Sequence, residues 1–163
     1  MDVSIVRPIF VSRPTWVPPQ HRSGLDNFKK LLGAHGLEPR SVGVTDHPSQ
    51  APLDEVIKLM GRCYGAIILG IPQIEVQSGK LKGDEITSPF SLGTEWNHIE
   101  AALAYSLQLP VLVIHDVTVG RGIFDRGAAN AFIYAVDFSS DAWALTSNIS
   151  GALAAWCDRL KPE

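Results

Sequence analysis

Two short runs constrain this chain most: residues 64–70 (YGAIILG) and 110–115 (PVLVIH) are apolar at almost every position. A strand with one wet face alternates apolar and polar side chains. These two do not alternate, so each has to be covered on both faces. Strands of that kind belong to parallel sheets, whose crossover connections lay helices on either side. The segments between them supply those helices. Leu25, Phe28, Leu31 and Leu32 recur at helical spacing, and Gly33 or Gly36 ends the run. Leu53, Val56, Ile57, Met60 and Cys63 mark a second helix, residues 95–108 a third, and Leu145, Ile149, Leu153, Trp156 and Leu160 stripe a fourth.

Three weaker strands complete the pattern. Residues 5–12 (IVRPIFVS) form the first, with a half around Pro8 that is irregular or at an edge. Residues 37–44 form a short second strand, and 131–138 (AFIYAVDF) a fifth. Stretches 13–24 and 45–52 are Pro-rich loops. Residues 71–93 show no clear period, and a loop that long is uncommon unless it has a function. Residues 116–130 hold Gly120, Gly122 and Gly127 and room for one short helix. The expectation is an α/β protein: a three-layer, flavodoxin-like sheet of five parallel strands in the order 2-1-3-4-5, with helices on both faces. At 163 residues, one domain spans 1–163. Such sheets bind ligands beyond the carboxyl ends of their strands, near the switch between strands 1 and 3. That rule nominates residues 12–15, 70–73 and the start of the third helix, with Asp116 more peripheral.

Composition narrows the partners. Net charge is −3 with no Lys/Arg run, so neither nucleic acid nor an anionic membrane is expected as a partner. No apolar stretch approaches the ~20 residues a membrane helix needs, and the N-terminus does not read as a signal peptide. Cys63 and Cys157 sit in apolar, helix-like surroundings without a CxxC or Cys/His cluster. They read as reduced thiols of a cytoplasmic protein, with no metal site and no cofactor expected. Walker A, HExxH and GxSxG motifs are absent.

The third helix carries the chemistry. Thr94 reads as its N-cap, and Gly93 allows the bend before it. Trp96 and Glu100 are four residues apart, hence on one face, and helical side chains lean toward the N-terminus, here the strand-end crevice. Ala101, Ala102 and Ala104 let the helix sit close to the sheet. Glu95 lies in the first turn, where the helix dipole accounts for a carboxylate. Glu100 lies beyond it and needs another reason. His98 should point away from Glu100. Around this pair, Ser12 and Arg13 end strand 1, and Arg13 is placed to bind a phosphate or to be a solvated loop residue. Trp16 is a cleft-lining candidate, and Phe90 and Ser91 are candidates to close over a ligand. Asp116 and Asp125 serve equally as turn residues or ribose ligands.

The Trp96-x-x-x-Glu100 spacing resembles the WxxxE motif of Toll/interleukin-1 receptor (TIR) domains that cleave NAD+, in which the glutamate is catalytic. Ile9-Phe10-Val11-Ser12 resembles their first-strand box, although Arg13-Pro14 stands where an aromatic is frequent. The stretch from Glu100 through Pro110, with small residues at Ala102, Ala104 and Ser106, also resembles nucleoside 2-deoxyribosyltransferases. The TIR resemblance implies an NAD+ glycohydrolase or cyclase, with Glu100 as the catalytic residue. Self-association as a homo-oligomer, a partnered sensor domain and a part in bacterial anti-phage defence belong to the same implication. The second resemblance implies a deoxyribosyltransferase or nucleotide N-glycosidase. A catalytically silent assembly or nucleotide-sensing module is the alternative from another class. Cleaving a ribosyl C–N bond builds positive charge on C1 and the ring oxygen, which a fixed carboxylate stabilises or attacks. Nicotinamide leaves NAD+ as a neutral base, so one carboxylate suffices.

Overall fold

A computed structural model describes residues 6–127, 132–160 and 162. Five parallel strands form the central sheet: β1 (Arg7–Ser12), β2 (Leu37–Arg40), β3 (Ala66–Gly70), β8 (Val111–Asp116) and β9 (Phe132–Val136), in the order β2-β1-β3-β8-β9. Helices α1 (Arg22–Ala34), α2 (Pro52–Met60), α3 (Glu95–Ser106) and α4 (Ser147–Cys157) cover it. This is the expected order, with β8 and β9 as the fourth and fifth sheet strands. Four short strands, β4 (Ile74–Val76), β5 (Lys80–Leu81), β6 (Asp84–Glu85) and β7 (Phe90–Leu92), lie outside the sheet.

The two apolar runs are the central strands, and every residue of β3 is buried. Alternate side chains enter different cores. Ile9, Val11, Ile67, Leu69, Leu112 and Ile114 pack with Phe28 and Leu32 of α1 and Ile149, Leu153 and Trp156 of α4. Phe10 and Ala66 pack with Val56, Leu59 and Met60 of α2 and Ala104 of α3, and Ile68 and Val113 pack with Ala101. Pro8 fits because of where its nitrogen points. Its carbonyl faces β3, accepting from Tyr64 N at 2.9 Å, while the β1–β3 ladder begins only at Phe10. No ladder bond is lost there.

The second strand is shorter than residues 37–44. It ends at Arg40, because Ser41 O collects the amides of Val44, Thr45 and Asp46 and turns the chain away. Helix α3 ends at Ser106, two residues early, and α4 begins at Ser147, after a 3-10 turn at Trp143–Leu145. Ala131, the first residue of the expected fifth strand, lies outside the described residues. The largest departure is 71–93. This stretch is an antiparallel arm, in which β4 pairs with β7 and β5 with β6. Lys82 and Gly83 join β5 to β6 with φ of 53° and 92°. Two positive φ values match the twist of a tight hairpin, and glycine carries one without strain.

Both thiols are free, and burial pushes Cys63 up to about 11. Among the described residues, no group of three or more His, Cys, Asp or Glu side chains could hold a metal. No helix among them is long and apolar enough to cross a membrane.

Candidate active site

The strand order reverses between β1 and β3, which end side by side under the N-terminus of α3. Ser12, the last residue of β1, pairs with Ile68 of β3. Thr94 caps α3 as its sequence suggests: its hydroxyl accepts from Trp96 N at 3.3 Å, and its own amide donates to Asn97 Oδ1 at 3.2 Å. This reciprocal cap fixes where the helix starts, and therefore where its second turn points.

That turn carries Glu100 onto the wall of a cleft of about 360 Å³. Trp96, one turn earlier, lines the same cleft, along with Arg13, Thr15, Gln73 and, from α2, Pro52 and Val56. The volume suits a small-molecule site. Glu100 is only 8% exposed, and burial pushes its carboxyl up to about 7. The nearby Ser12 hydroxyl pulls part of the way back. Burial penalises the charged form, and a donor to the carboxylate favours it. Near neutrality Glu100 therefore exists in both forms, as a carboxylate able to stabilise cationic charge and as an acid.

Among the described residues, Arg13 is the cation that lines the cleft. Its Nε donates to Pro14 O at 3.2 Å, and burial lowers its guanidinium from the ordinary value, opposed by Asp26. Trp96 keeps 39% of its surface exposed, enough to present a ring face to a ligand.

Other nominated residues lie elsewhere. Trp16, Ser91 and Asp116 line a second depression of about 600 Å³, which meets the cleft at Gln73. Asp116 is buried, and both its oxygens are engaged: one accepts from the Thr118 amide and hydroxyl, the other from Phe138 N. Ser91 is buried and its amide donates to Thr118 O, which ties the arm to the loop after β8. Phe90, half-buried on β7, lines neither space. Glu95 is exposed. His98 faces away from Glu100, its Nδ1 accepting from Ile123 N and its ring 5.5 Å from that of Phe124. Asp125 accepts from Arg121 N within its own turn.

Sequence reasoning missed Asn97 and the α2 wall. Asn97 is fully buried, and its Nδ2 donates to Ser12 Oγ at 2.9 Å and to Leu69 O at 3.3 Å. The available signal was its place three residues after a Thr cap. Pro52 read as the end of a loop and Val56 as an ordinary apolar position of the second helix, and neither carried a signal.

No family model matches the chain, and no match was found among curated proteins. Among solved structures it is similar to a CMP N-glycosidase of Clostridium botulinum, with 13% identity and a TM-score of 0.50, over 85% of this chain and 94% of that one. At that identity the likeness concerns the fold.

Proposed function

We propose that this protein cleaves the N-glycosidic bond of a nucleotide, with Glu100 as the catalytic carboxylate. The observation that carries the reading is a single buried carboxyl, raised to about 7, on the wall of a cleft at the strand-switch point. Glu100 stabilises the oxocarbenium-like state at C1 or attacks it. Trp96 packs on the base or sugar, and Arg13 takes a phosphate.

NAD+ is the first substrate on this reading. Among the described residues, Glu100 is the one acidic side chain lining the cleft. A lone carboxylate suits a base that already leaves neutral, as nicotinamide does. This agrees with the Trp96/Glu100 resemblance to NAD+-cleaving TIR domains, whose homo-oligomeric assembly, sensor partner and role in anti-phage defence come with the same proposal. A nucleoside monophosphate is the second substrate, favoured by the CMP N-glycosidase of similar fold. There Glu100 also acts in its protonated form, donating to the departing base. The raised Glu100 permits either.

The test incubates the protein at high concentration with NAD+, CMP and deoxynucleosides, and follows released base by chromatography. Release from one of these, lost in Glu100→Gln, supports the reading and selects the substrate. Absence of release from all of them, in monomer and oligomer alike, rejects it.

A further inference from the structure

The cleft and the second depression lie along the same two loops. Arg13, Pro14 and Thr15 line the cleft, and the next residue, Trp16, lines the depression. On the other side, Pro72 lines the depression and Gln73 lines both spaces. The loops leaving β1 and β3 therefore run from one space into the other. Gln73 holds them together. Its Nε2 donates to Pro72 O at 2.9 Å and to Trp16 O at 3.3 Å, and its amide donates to Leu92 O at 2.9 Å. A ligand longer than the cleft has a prepared continuation along these loops.

The two spaces differ in chemistry. Among the described residues, the cleft has the Arg13 cation, and neither Lys nor Arg lines the depression. The charges there are carboxylates. Asp116 is spent on its own hydrogen bonds, but Glu75 and Asp137 are exposed. Asp137 Oδ1 accepts from Ser139 N at 2.9 Å, and among the described residues Oδ2 takes no hydrogen bond. Such walls repel a phosphate and accept from hydroxyls. Trp16 adds an apolar face. It is 55% exposed, with Pro18 and Pro72 in the same depression, and an exposed indole is a stacking platform for a base. His21 also lines this space and is buried, yet its Nδ1 meets no partner among the described residues. Polar atoms so buried are normally bonded, so the fold leaves this ring with hydrogen-bonding capacity unspent.

We propose that the second depression is a subsite for an uncharged nucleoside, which makes the substrate a dinucleotide. The end that is cleaved lies at Glu100, and the diphosphate lies at Arg13. The far nucleoside stacks its base on Trp16 and turns its ribose hydroxyls to Asp137. This rests on Glu100 being the reacting group. NAD+ has that layout, whereas a nucleoside monophosphate ends at Arg13 and leaves the depression empty.

The test is calorimetric titration of Glu100→Gln, chosen so that ligand is not consumed. It compares NAD+ with nicotinamide mononucleotide, which has the same cleavable bond but no adenosine. NAD+ should bind about tenfold tighter, the worth of one stacked base. Adding Trp16→Ala should shrink that advantage to about twofold or less. Trp16 is held through its backbone carbonyl, which alanine keeps, so the Gln73 anchor survives the change. Equal affinities of the two ligands in Glu100→Gln, an NAD+ advantage that survives Trp16→Ala, or no binding of NAD+ at all overturns the subsite. The measurement needs no turnover. A Trp16-dependent advantage in a protein whose wild type cleaves nothing rejects the proposed activity alone. Cleavage of CMP without binding of NAD+, or cleavage of NAD+ with an advantage indifferent to Trp16, rejects the subsite alone.

Discussion

Asn97 Nδ2 lies 2.9 Å from Ser12 Oγ, joining two buried polar side chains 85 residues apart in sequence. The contact ties the first turn of α3 to the end of β1, and Glu100 stands one turn further along the same helix. That joint helps to set where Glu100 stands, a carboxyl kept largely out of water on the cleft wall.

Glu100→Gln should stabilise the protein at alkaline pH. The folded carboxyl is raised to about 7 from an ordinary 4.5. Its contribution is thus fully present below the ordinary value and is lost as pH rises through about 7. Removing the charge should make the variant more stable by up to about 3 kcal/mol near pH 9 and leave it level with wild type near pH 4. Urea denaturation at the two pH values measures this. Curves that stay parallel would contradict a buried, raised Glu100.

The pH profile of turnover should report which form of Glu100 works. If the base leaves neutral, as from NAD+, the ionised form suffices, and kcat/KM should rise with pH and level off above about 7. If the base needs a proton, the rate should instead fall above about 7. A profile flat from pH 5 to pH 9, about two units either side of that midpoint, would remove Glu100 from the chemical step.

Trp96→Ala should weaken substrate binding with little effect on stability. The ring lines the cleft and is 39% exposed, so truncation empties a wall and leaves the core intact. KM should rise about tenfold, equivalent to the loss of one aromatic contact, while the unfolding free energy changes by about 1 kcal/mol or less. A loss confined to stability would assign the indole to packing.

Asp116→Asn should behave in the opposite way. The carboxylate bonds two amides and a hydroxyl, and it ties the end of β8 to Phe138 beyond β9. Replacing one oxygen by an amide sets donor against donor, at about 1–3 kcal/mol of stability. KM should stay near the wild-type value. A raised KM in a protein of unchanged melting temperature would make Asp116 a ligand group.

Much of the fold was legible in the sequence. Runs 64–70 and 110–115 could satisfy their apolar faces only inside a parallel sheet, and once those were placed the flanking amphipathic segments had one workable arrangement around them. The Trp96/Glu100 spacing was legible for a similar reason, since helical geometry sets both side chains on one face wherever the helix lies. Local patterns failed where the decisive contacts were not local. Residues 41–44 resemble a strand end, but the Ser41 carbonyl captures three following amides and ends the pairing. The arm at 71–93 has no apolar period because its short strands are mostly exposed, with Ser91 as the buried exception.

By itself, then, the sequence determined the layers, the strand order and the helix that carries the carboxylate, because hydrophobic period and capping chemistry act over a few residues. Tertiary structure alone decided the environment of that carboxylate. Burial of Glu100, the bond that joins Asn97 to Ser12, and the diversion of Asp116 to backbone amides all depend on groups far apart in the chain. Desolvation and hydrogen bonding, which set a carboxyl's charge, are properties of that assembled neighbourhood.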